Sequence, residues 1–401
     1  MAPLGPWPAT RHVAVAVSGG ADSLCLAVLL AAWGKPLGLI VDHGLRPESA
    51  AEARLTCERL GAIGVPARVI GVAGLQAGAG VSARARAARY AALSAAAVDA
   101  GCLDLLVAHH RRDQAETVLM RRHAGSGIGG LAGMASIVET DGLRIVRPLL
   151  GVAPGRLRAT LTARGLNWVE DPTNENPVYL RARLRAGLAD SEGDGAAVGA
   201  LVEGSATAGL ARAADEAAAA AALAVVADIR PEGFAILRAG AVPPLALGRL
   251  IRFIGGAAYL PASAGLADLA ANPRPAVLHG VRLLPAGRLG PGLLVVREAA
   301  AMAAAVPAVD GAVWDGRFRL DAASRWAVEA LFGAVGDAAA ALRRASELPA
   351  VVLRTLPAIW HDGVLVSVPH ISYPERSAGA SMAVWPCPPN PVAGAPFNAP
   401  C

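Results

Sequence analysis

The residues that most clearly indicate a chemical function form a short turn, Ser18–Ser23, with the sequence Ser-Gly-Gly-Ala-Asp-Ser. A valine-rich apolar run precedes the turn and a second apolar run, Leu24–Leu30, follows it, which predicts a buried strand leading into a helix. Gly19 and Gly20 let the backbone approach an anion without an intervening Cβ. The first N–H groups of the helix point at the same place. We therefore predict that this turn binds phosphate groups, with its two serines as hydroxyl donors.

Two better-known phosphate-binding motifs do not fit these residues. A nucleoside triphosphate P-loop needs Gly-Lys-Ser/Thr, and the dinucleotide fingerprint needs a third glycine; the turn has neither. Asp22 would place a negative charge beside bound phosphates, so a metal ion or the helix N-terminus must offset it. An ordinary turn capped by serine is the simpler alternative.

Polar residues also follow other apolar runs in the first 150 residues. Asp42 ends one run and the segment His109–Glu116 follows another. Strands and helices alternate here, which predicts an α/β domain with a parallel, doubly wound sheet. Ligands of such sheets bind beyond the carboxyl ends of the strands, so these polar segments are expected to converge. Asp113 and Glu116 share one helix face, although acidic residues in a first turn also stabilise a helix by themselves.

Composition limits the class of protein. The 401 residues exceed what one core usually supports, so two or more domains are expected. The net charge of +5 permits nucleic-acid binding without proving it. Of the 37 basic residues only Lys35 is a lysine, so an arginine taken singly is weak evidence for a phosphate contact. None of the five cysteines forms a Cys-x-x-Cys pair, which argues against a zinc ribbon or an iron–sulfur cluster.

The hydrophobic runs are short. None reaches the roughly 18 residues that a membrane helix needs, and the first residues lack the order of a secretory signal peptide. We therefore expect a cytoplasmic protein without membrane association.

Four regions are predicted along the chain. Residues 1–190 form the α/β domain, and residues 200–272 are alanine-rich and mostly helical. Residues 273–372 combine short strands with one helix, over 325–342, and so predict a small α+β region at the C-terminal side. The tail 373–401 is rich in proline and predicted to be disordered.

The Ser-Gly-Gly-x-Asp-Ser motif resembles the PP-loop of ATP pyrophosphatases, which have an adenine nucleotide alpha hydrolase-like fold. Further motifs resemble tRNA(Ile)-lysidine synthases in order and spacing, and the resemblance covers about residues 12–188. Ala124 stands where the family commonly has a basic residue and Ala182 where it has Asn, which affects single tRNA contacts rather than the reaction. The matching segments are Val41–Arg46, Ala108–Thr117, Gly125–Met134, Arg147–Leu149 and Glu170–Asn174.

The resemblance implies a reaction and its partners. The family joins L-lysine to the wobble cytidine of an isoleucine tRNA with a CAU anticodon, which changes codon reading from AUG to AUA. ATP first adenylates the cytosine 2-carbonyl oxygen, and the lysine amine then displaces AMP. The implied cofactors are ATP and Mg²⁺, and a homodimer and a monomer are both left open.

The resemblance also implies roles for single residues. The pyrophosphate portion of ATP would lie on the turn formed by Ser18, Gly19, Gly20, Ala21, Asp22 and Ser23. The catalytic candidates are Asp42, His109, Asp113 and Asp171. Asp42 could hold Mg²⁺, bind the lysine ammonium or cap the next helix, while Asp171 could bind the lysine amine or form an Asx turn before proline. The candidate contacts to the tRNA backbone are Arg181, Arg183 and Arg185, with a solvated helix face as the alternative.

Two other function classes compete with this interpretation. Another PP-loop enzyme, such as a tRNA thiolase, usually needs paired cysteines or a sulfur carrier, and here the cysteines lie outside the motifs. A nucleotide-binding sensor without catalysis would be shorter and would lack Asp42, Asp113 and Asp171 in this pattern. Lysine-dependent release of AMP, with lysine retained on tRNA, separates the three classes.

Overall fold

A computed structural model describes most of the chain as two compact units. Unit 1 comprises Met1–Ala214 with Ala395–Cys401, and unit 2 comprises Asp215–Gly394. The residues that the structure describes are 1–42, 44, 49–72, 81–140, 142–169, 180–238, 240–322, 329–374, 382–393 and 397–399.

Unit 1 is built on a six-stranded sheet with the order β3-β2-β1-β4-β6-β5. All neighbouring strands are parallel except β5, which runs antiparallel to β6 at one edge. The predicted parallel α/β sheet is therefore confirmed. The strands are β1 (His12–Ala16), β2 (Lys35–Asp42), β3 (Ala67–Gly71), β4 (Asp104–Leu106), β5 (Ile137–Thr140) and β6 (Leu143–Val146).

Helices cover both faces of this sheet, as a parallel sheet requires. Apolar side chains that alternate along β1 explain the two layers: Val13 and Val15 pack with α1 on one face, while Ala14 packs with α3 on the other. The helices are α1 (Ala21–Trp33), α2 (Ser49–Ala62), α3 (Val81–Asp99), α4 (Arg111–His123), α5 (Ile128–Leu131), α6 (Pro154–Thr162), α7 (Leu180–Leu188) and α8 (Ala196–Val226), the last of which contributes to both units.

Unit 2 is an α+β region with three antiparallel sheets and a few helices. The five-stranded sheet contains β7 (Ala227–Arg230), β8 (Phe234–Leu237), β9 (Ala276–Leu278), β10 (Val281–Pro285) and β11 (Leu293–Arg297). The four-stranded sheet contains β12 (Val306–Pro307), β15 (Leu331–Ala334), β16 (Pro357–His361) and β17 (Val364–Ser367). The remaining elements are β13 (Val313–Trp314), β14 (Phe318–Ala322), β18 (Met382–Pro386), α9 (Pro244–Gly255), α10 (Ser263–Ala271) and α11 (Ala350–Leu353).

Unit 2 differs from the sequence prediction in three places. The region predicted as mostly helical contains the hairpin β7–β8, because the four residues of β8 are all buried. In the helix predicted over 325–342, Leu331–Ala334 forms a strand instead, since Phe332 packs into the core beside β16. Within the tail predicted to be disordered, β18 pairs with β14 over five residue pairs. Its non-proline residues supply the backbone donors that the neighbouring prolines lack.

Candidate functional site

The predicted phosphate-binding turn is held in shape by its own serines. The backbone N–H of Ser18 donates to Ser23 Oγ at 3.1 Å, and Ser23 Oγ donates to the Gly20 carbonyl at 3.1 Å. The two serine hydroxyl oxygens lie 3.2 Å apart. Gly20 is the N-cap of α1, and no side chain caps this helix end. The turn and the uncapped helix N-terminus together form the arrangement that binds anions in many proteins.

The two glycines of the turn have different reasons to lack a side chain. Gly19 has a φ of +86°, and a Cβ there would lie 2.6 Å from the Thr56 hydroxyl, so the fold itself needs glycine. Gly20 has an ordinary φ of −74°, and a Cβ there would meet no atom closer than 3.7 Å. The fold would therefore accept a small side chain at Gly20. Its absence keeps space open beside the helix N-terminus, as a bound phosphate would require.

His110 connects this turn to α4. Its side-chain Nε2 lies 3.5 Å from a carboxylate oxygen of Asp22 and 3.5 Å from one of Asp113. His110 is also the N-cap of α4: its Nδ1 accepts from the Asp113 backbone N–H, and the Asp113 carboxylate accepts from the His110 backbone N–H in return. This reciprocal capping fixes both side chains at the carboxyl edge of the sheet.

The electrostatic surroundings of His110 favour its charged form. Burial of the imidazole acts to lower its pKa, but the carboxylates of Asp113, Asp22 and Glu116 outweigh burial and raise it. The neutral imidazole caps α4 through Nδ1, whereas protonation of Nδ1 would give up that cap and place a positive charge next to the phosphate-binding turn, where it would stabilise negative charge. The sequence prediction named His109, whose role stays a prediction, and did not name His110. The spacing of His110 and Asp113, which matches a helix capping box, was the signal that could have identified it.

A buried ion-pair cluster joins α4 to α7. Glu116 is completely buried, and its carboxylate accepts from Arg185 at 2.8 Å and 3.3 Å. The same guanidinium lies 3.8 Å from Asp113, and Arg112 lies 3.7 Å from Glu116. Asp113 and Glu116 do share one helix face, as predicted.

The arginines predicted to contact tRNA have different surroundings. Arg185 donates a hydrogen bond to Glu116, which supports a structural role. A tRNA phosphate would have to compete with Glu116 for this guanidinium group. Arg183 is exposed on α7. Arg181 belongs to the same helix, but its side chain lies outside the described residues, as does the whole of Asp171. Val169, which precedes Asp171 by two residues in the sequence, donates its backbone N–H to the Gly19 carbonyl at 3.0 Å.

Asp42 ends β2 at the same edge of the sheet. One of its carboxylate oxygens accepts from the backbone N–H of Gly44 at 2.9 Å and from the hydroxyl of Ser49 at 2.6 Å. Ser49 begins α2, so the second bond ties the Asp42 carboxylate to the first residue of that helix through a side-chain hydroxyl rather than a backbone N–H. Within the described part of the chain, no three His, Cys, Asp or Glu residues are grouped to hold a metal ion. A metal at Asp42 stays a prediction.

The glycine-rich segment after α4 is held in place by two side chains. Gln114 is buried and bonds to the backbone of Met134 through both its amide nitrogen and its oxygen, at 3.2 Å and 2.8 Å. Arg121 donates to the carbonyls of Gly130 and Gly133 at 2.7 Å and 2.6 Å. A Cβ on Gly133, whose φ is +65°, would collide with Gln114. These contacts fix the backbone of the glycine-rich segment beside α4.

Sequence comparisons agree with this geometry. The family model of the PP-loop domain matches residues 3–192. A tRNA(Ile)-lysidine synthase from Ruegeria pomeroyi is 34% identical over 378 residues, which cover 90% of this chain and 88% of that protein. The chain belongs to the tRNA(Ile)-lysidine synthase family. The predicted PP-loop fold and family resemblance are therefore confirmed.

Other tRNA(Ile)-lysidine synthases match over shorter stretches. The one from Rhodopseudomonas palustris is 46% identical over 186 residues, covering 45% of this chain and 54% of that protein. The one from Bradyrhizobium sp. is 44% identical over 198 residues, which cover 48% of this chain and 55% of that protein. In these matches the chain spans about half the length of its relatives. In the described part of this lysidine synthase family member, no helix is both long and apolar enough to cross a membrane.

Proposed function

We propose that this protein is an ATP-dependent ligase that attaches lysine to the wobble cytidine of an isoleucine tRNA with a CAU anticodon. The products are lysidine in the tRNA, AMP and pyrophosphate. The observation that carries the proposal is the Ser18–Ser23 turn at the uncapped start of α1, with His110 and Asp22 beside it. Family membership supplies the reaction class.

The turn suits the triphosphate of ATP. Backbone N–H groups at the start of α1 and the hydroxyls of Ser18 and Ser23 would donate to phosphate oxygens. The open space at Gly20 would admit those phosphates, and the His110 imidazole would offset the negative charge of the departing pyrophosphate. Mg²⁺, when bound, would offset further triphosphate charge; the carboxylates of Asp22 and Asp42 at this edge are of the oxygen-ligand type that it prefers.

The proposed chemistry has two steps. The cytosine 2-carbonyl oxygen attacks the α-phosphorus of ATP, a P–O bond forms, and pyrophosphate leaves. The neutral lysine amine then attacks the activated C2 carbon, a C–N bond forms, AMP leaves, and the amine loses its proton. A carboxylate near the amine would hold it and accept that proton.

Three carboxylates are candidates for handling the lysine amine. Asp171 follows Val169 by two residues, and Val169 bonds to the turn, so Asp171 is our first candidate. Asp113 is already bonded to the His110 backbone and lies near Arg185, which suits a positioning role. One carboxylate oxygen of Asp42 already accepts hydrogen bonds from Gly44 and Ser49, so Asp42 is a weaker candidate than Asp171.

The test supplies tRNA, ATP labelled in its α-phosphate and labelled lysine. We expect AMP release that depends on lysine, with lysine retained on the tRNA. The Gly20→Val variant should lose this activity, because the side chain would occupy the space for a phosphate. Gly61→Val is the matched control, since Gly61 lies in α2 and a Cβ there meets no neighbouring atom within 4 Å, so this position too has room for a small side chain.

Three results would count against the proposal. Normal activity in Gly20→Val would show that the Ser18–Ser23 turn does not bind the phosphates of ATP. Transfer of sulfur from a donor to tRNA, without lysine incorporation, would favour the thiolase alternative, and ATP binding without any product would favour a sensor.

A further inference from the structure

Three arginines and a tyrosine gather beside the sheet of unit 1, where the mechanism above does not use them. The guanidinium carbon of Arg86 lies 5.1 Å from the centre of the Tyr90 ring, and that of Arg89 lies 6.0 Å from it. Arg147 lies near the Tyr90 side chain, which acts to raise the pKa of its guanidinium, and it donates to the Ala135 carbonyl at 2.9 Å. These four residues, Arg86, Arg89, Tyr90 and Arg147, are the arginine–tyrosine cluster.

Among the described residues, no carboxylate acts on the charges of Arg89 and Arg147. Burial lowers the pKa of Arg89 and of Arg147, and the charge of Arg86 lowers both further. Among the described residues, only Tyr90 acts to raise the pKa of Arg89 and of Arg147. The Nε atom of Arg147 is buried and has no hydrogen-bond partner.

Such an arrangement is unfavourable for the protein alone. Buried charges in proteins are normally paired or bound to a ligand, because burial without a partner costs free energy. The chain is rich in arginine throughout, and an exposed arginine carries little information for that reason. That explanation does not cover Arg89 and Arg147, two half-buried guanidinium groups that share Tyr90 as a neighbour and have no carboxylate acting on them among the described residues.

The cluster lies at the edge of the sheet where the phosphate-binding turn lies. Arg147 directly follows β6, and β6 is parallel to β4, which is parallel to β1. The carboxyl ends of these strands therefore share one edge. Arg86 is exposed there, while Arg89 and Tyr90 are half-buried.

We propose that the arginine–tyrosine cluster binds phosphate groups of the RNA strand that carries the target cytidine. This inference rests on the proposed function. Guanidinium groups bind phosphate oxygens through two parallel hydrogen bonds, and stacking on Tyr90 holds their planes in place. Arg86 and Arg89 are one helical turn apart and Arg147 adds a third donor, which suits successive phosphates of a strand.

The test compares Arg86→Gln and Arg89→Gln with Arg54→Gln, an exposed arginine on α2. Equilibrium binding of the tRNA is measured without ATP, at several salt concentrations. We expect each cluster variant to bind about three- to tenfold more weakly at low salt, with a salt slope reduced by about one. The control should bind like the wild type. The thermal midpoint of Arg89→Gln should equal or exceed that of the wild type, because an unpaired buried charge is removed.

Several outcomes overturn this inference. An unchanged salt slope in both cluster variants would show that the cluster does not contact the strand. A raised KM for ATP with unchanged tRNA affinity would assign it to the triphosphate instead. A lower thermal midpoint of Arg89→Gln, with Arg86→Gln binding normally, would indicate a structural role. If the wild type itself fails to bind tRNA, the proposed function fails, which is a distinct result.

Discussion

The arginine–tyrosine cluster of unit 1 and the arginines around Asp315 in unit 2 are both partly or fully buried, but among the described residues only the second group has a carboxylate partner. In unit 2, Asp315 accepts from Arg297 at 3.0 Å through both of its oxygens and from Arg317 at 2.7 Å. In unit 1, the described surroundings of Arg89 and Arg147 contribute no carboxylate to either pKa. The same side-chain type thus holds the fold together around Asp315 and, in our proposal, binds a ligand in the arginine–tyrosine cluster.

The pKa directions express this difference. Burial by itself raises the pKa of Asp315, but its bonds to Arg297 and Arg317 outweigh burial and lower it. The pKa of Arg317 is lowered to about 10, because burial lowers it by more than the Asp315 carboxylate raises it. Arg317 therefore stays charged at neutral pH with its partner ionised. A buried arginine is evidence for a ligand only where the structure supplies no counter-charge.

The largest effect should come from removing the carboxylate of unit 2. Asp315→Asn leaves Arg297 and Arg317 buried without a counter-ion, which should lower the free energy of unfolding by about 3–5 kcal/mol. Hydrogen exchange read by mass spectrometry should become faster in peptides of unit 2. Asp268→Asn, which breaks the exposed pair with Arg274, is the control and should change little. Equal exchange in both variants would contradict the importance of Asp315.

A smaller loss is expected from the ion pair between α4 and α7. Arg185→Gln leaves the buried Glu116 without its shortest partner, and we expect a loss of about 1–3 kcal/mol. Arg183→Gln changes an exposed side chain of the same helix and serves as the control. Denaturant unfolding of both variants measures the difference. If Arg185→Gln is as stable as its control but binds tRNA weakly, Arg185 belongs to the ligand-binding arginines.

His110 should make stability depend on pH. Its folded pKa is raised, so its stabilising effect is complete below the unfolded value near 6.5 and is lost as pH rises through the folded pKa. His110→Asn keeps an N-cap oxygen but removes the titration. The difference in stability between wild type and variant should shrink as the pH is raised from 6 to 9. A difference that is constant over this range would contradict the charge on His110.

The smallest effect on stability is expected in the arginine–tyrosine cluster. The double variant Arg86→Gln/Arg89→Gln should change the free energy of unfolding by less than about 0.5 kcal/mol, or raise it. Thermal unfolding in low and moderate salt would test this, since screening weakens repulsion between exposed charges. A large loss of stability would mean that these arginines have a counter-charge and that the contrast with Asp315 is not real.

The sequence predicted the parts of the molecule that depend on local pattern. Valines along β1 and the apolar run of α1 identified the strand, the turn and the helix, and the five motifs identified the family. Distant contacts were beyond such reasoning. That Arg185 pairs with Glu116 depends on how α7 packs against α4, 69 residues apart, and the strand at Phe332 formed because β16 lies beside it. His110 was missed because two adjacent histidines look equivalent until the helix start is known.

Gly19 and Gly20 should respond differently to substitution when every residue of the chain is mutated in turn. A screen for activity would reject substitutions at both positions. A screen for protein abundance in cells would separate them, because Gly19 has a positive φ and is packed against Thr56, whereas Gly20 has an ordinary φ and open space. Variants at Gly20 should accumulate as folded, inactive protein, and variants at Gly19 should be degraded. Adjacent, chemically identical residues would then report separately on catalysis and on folding.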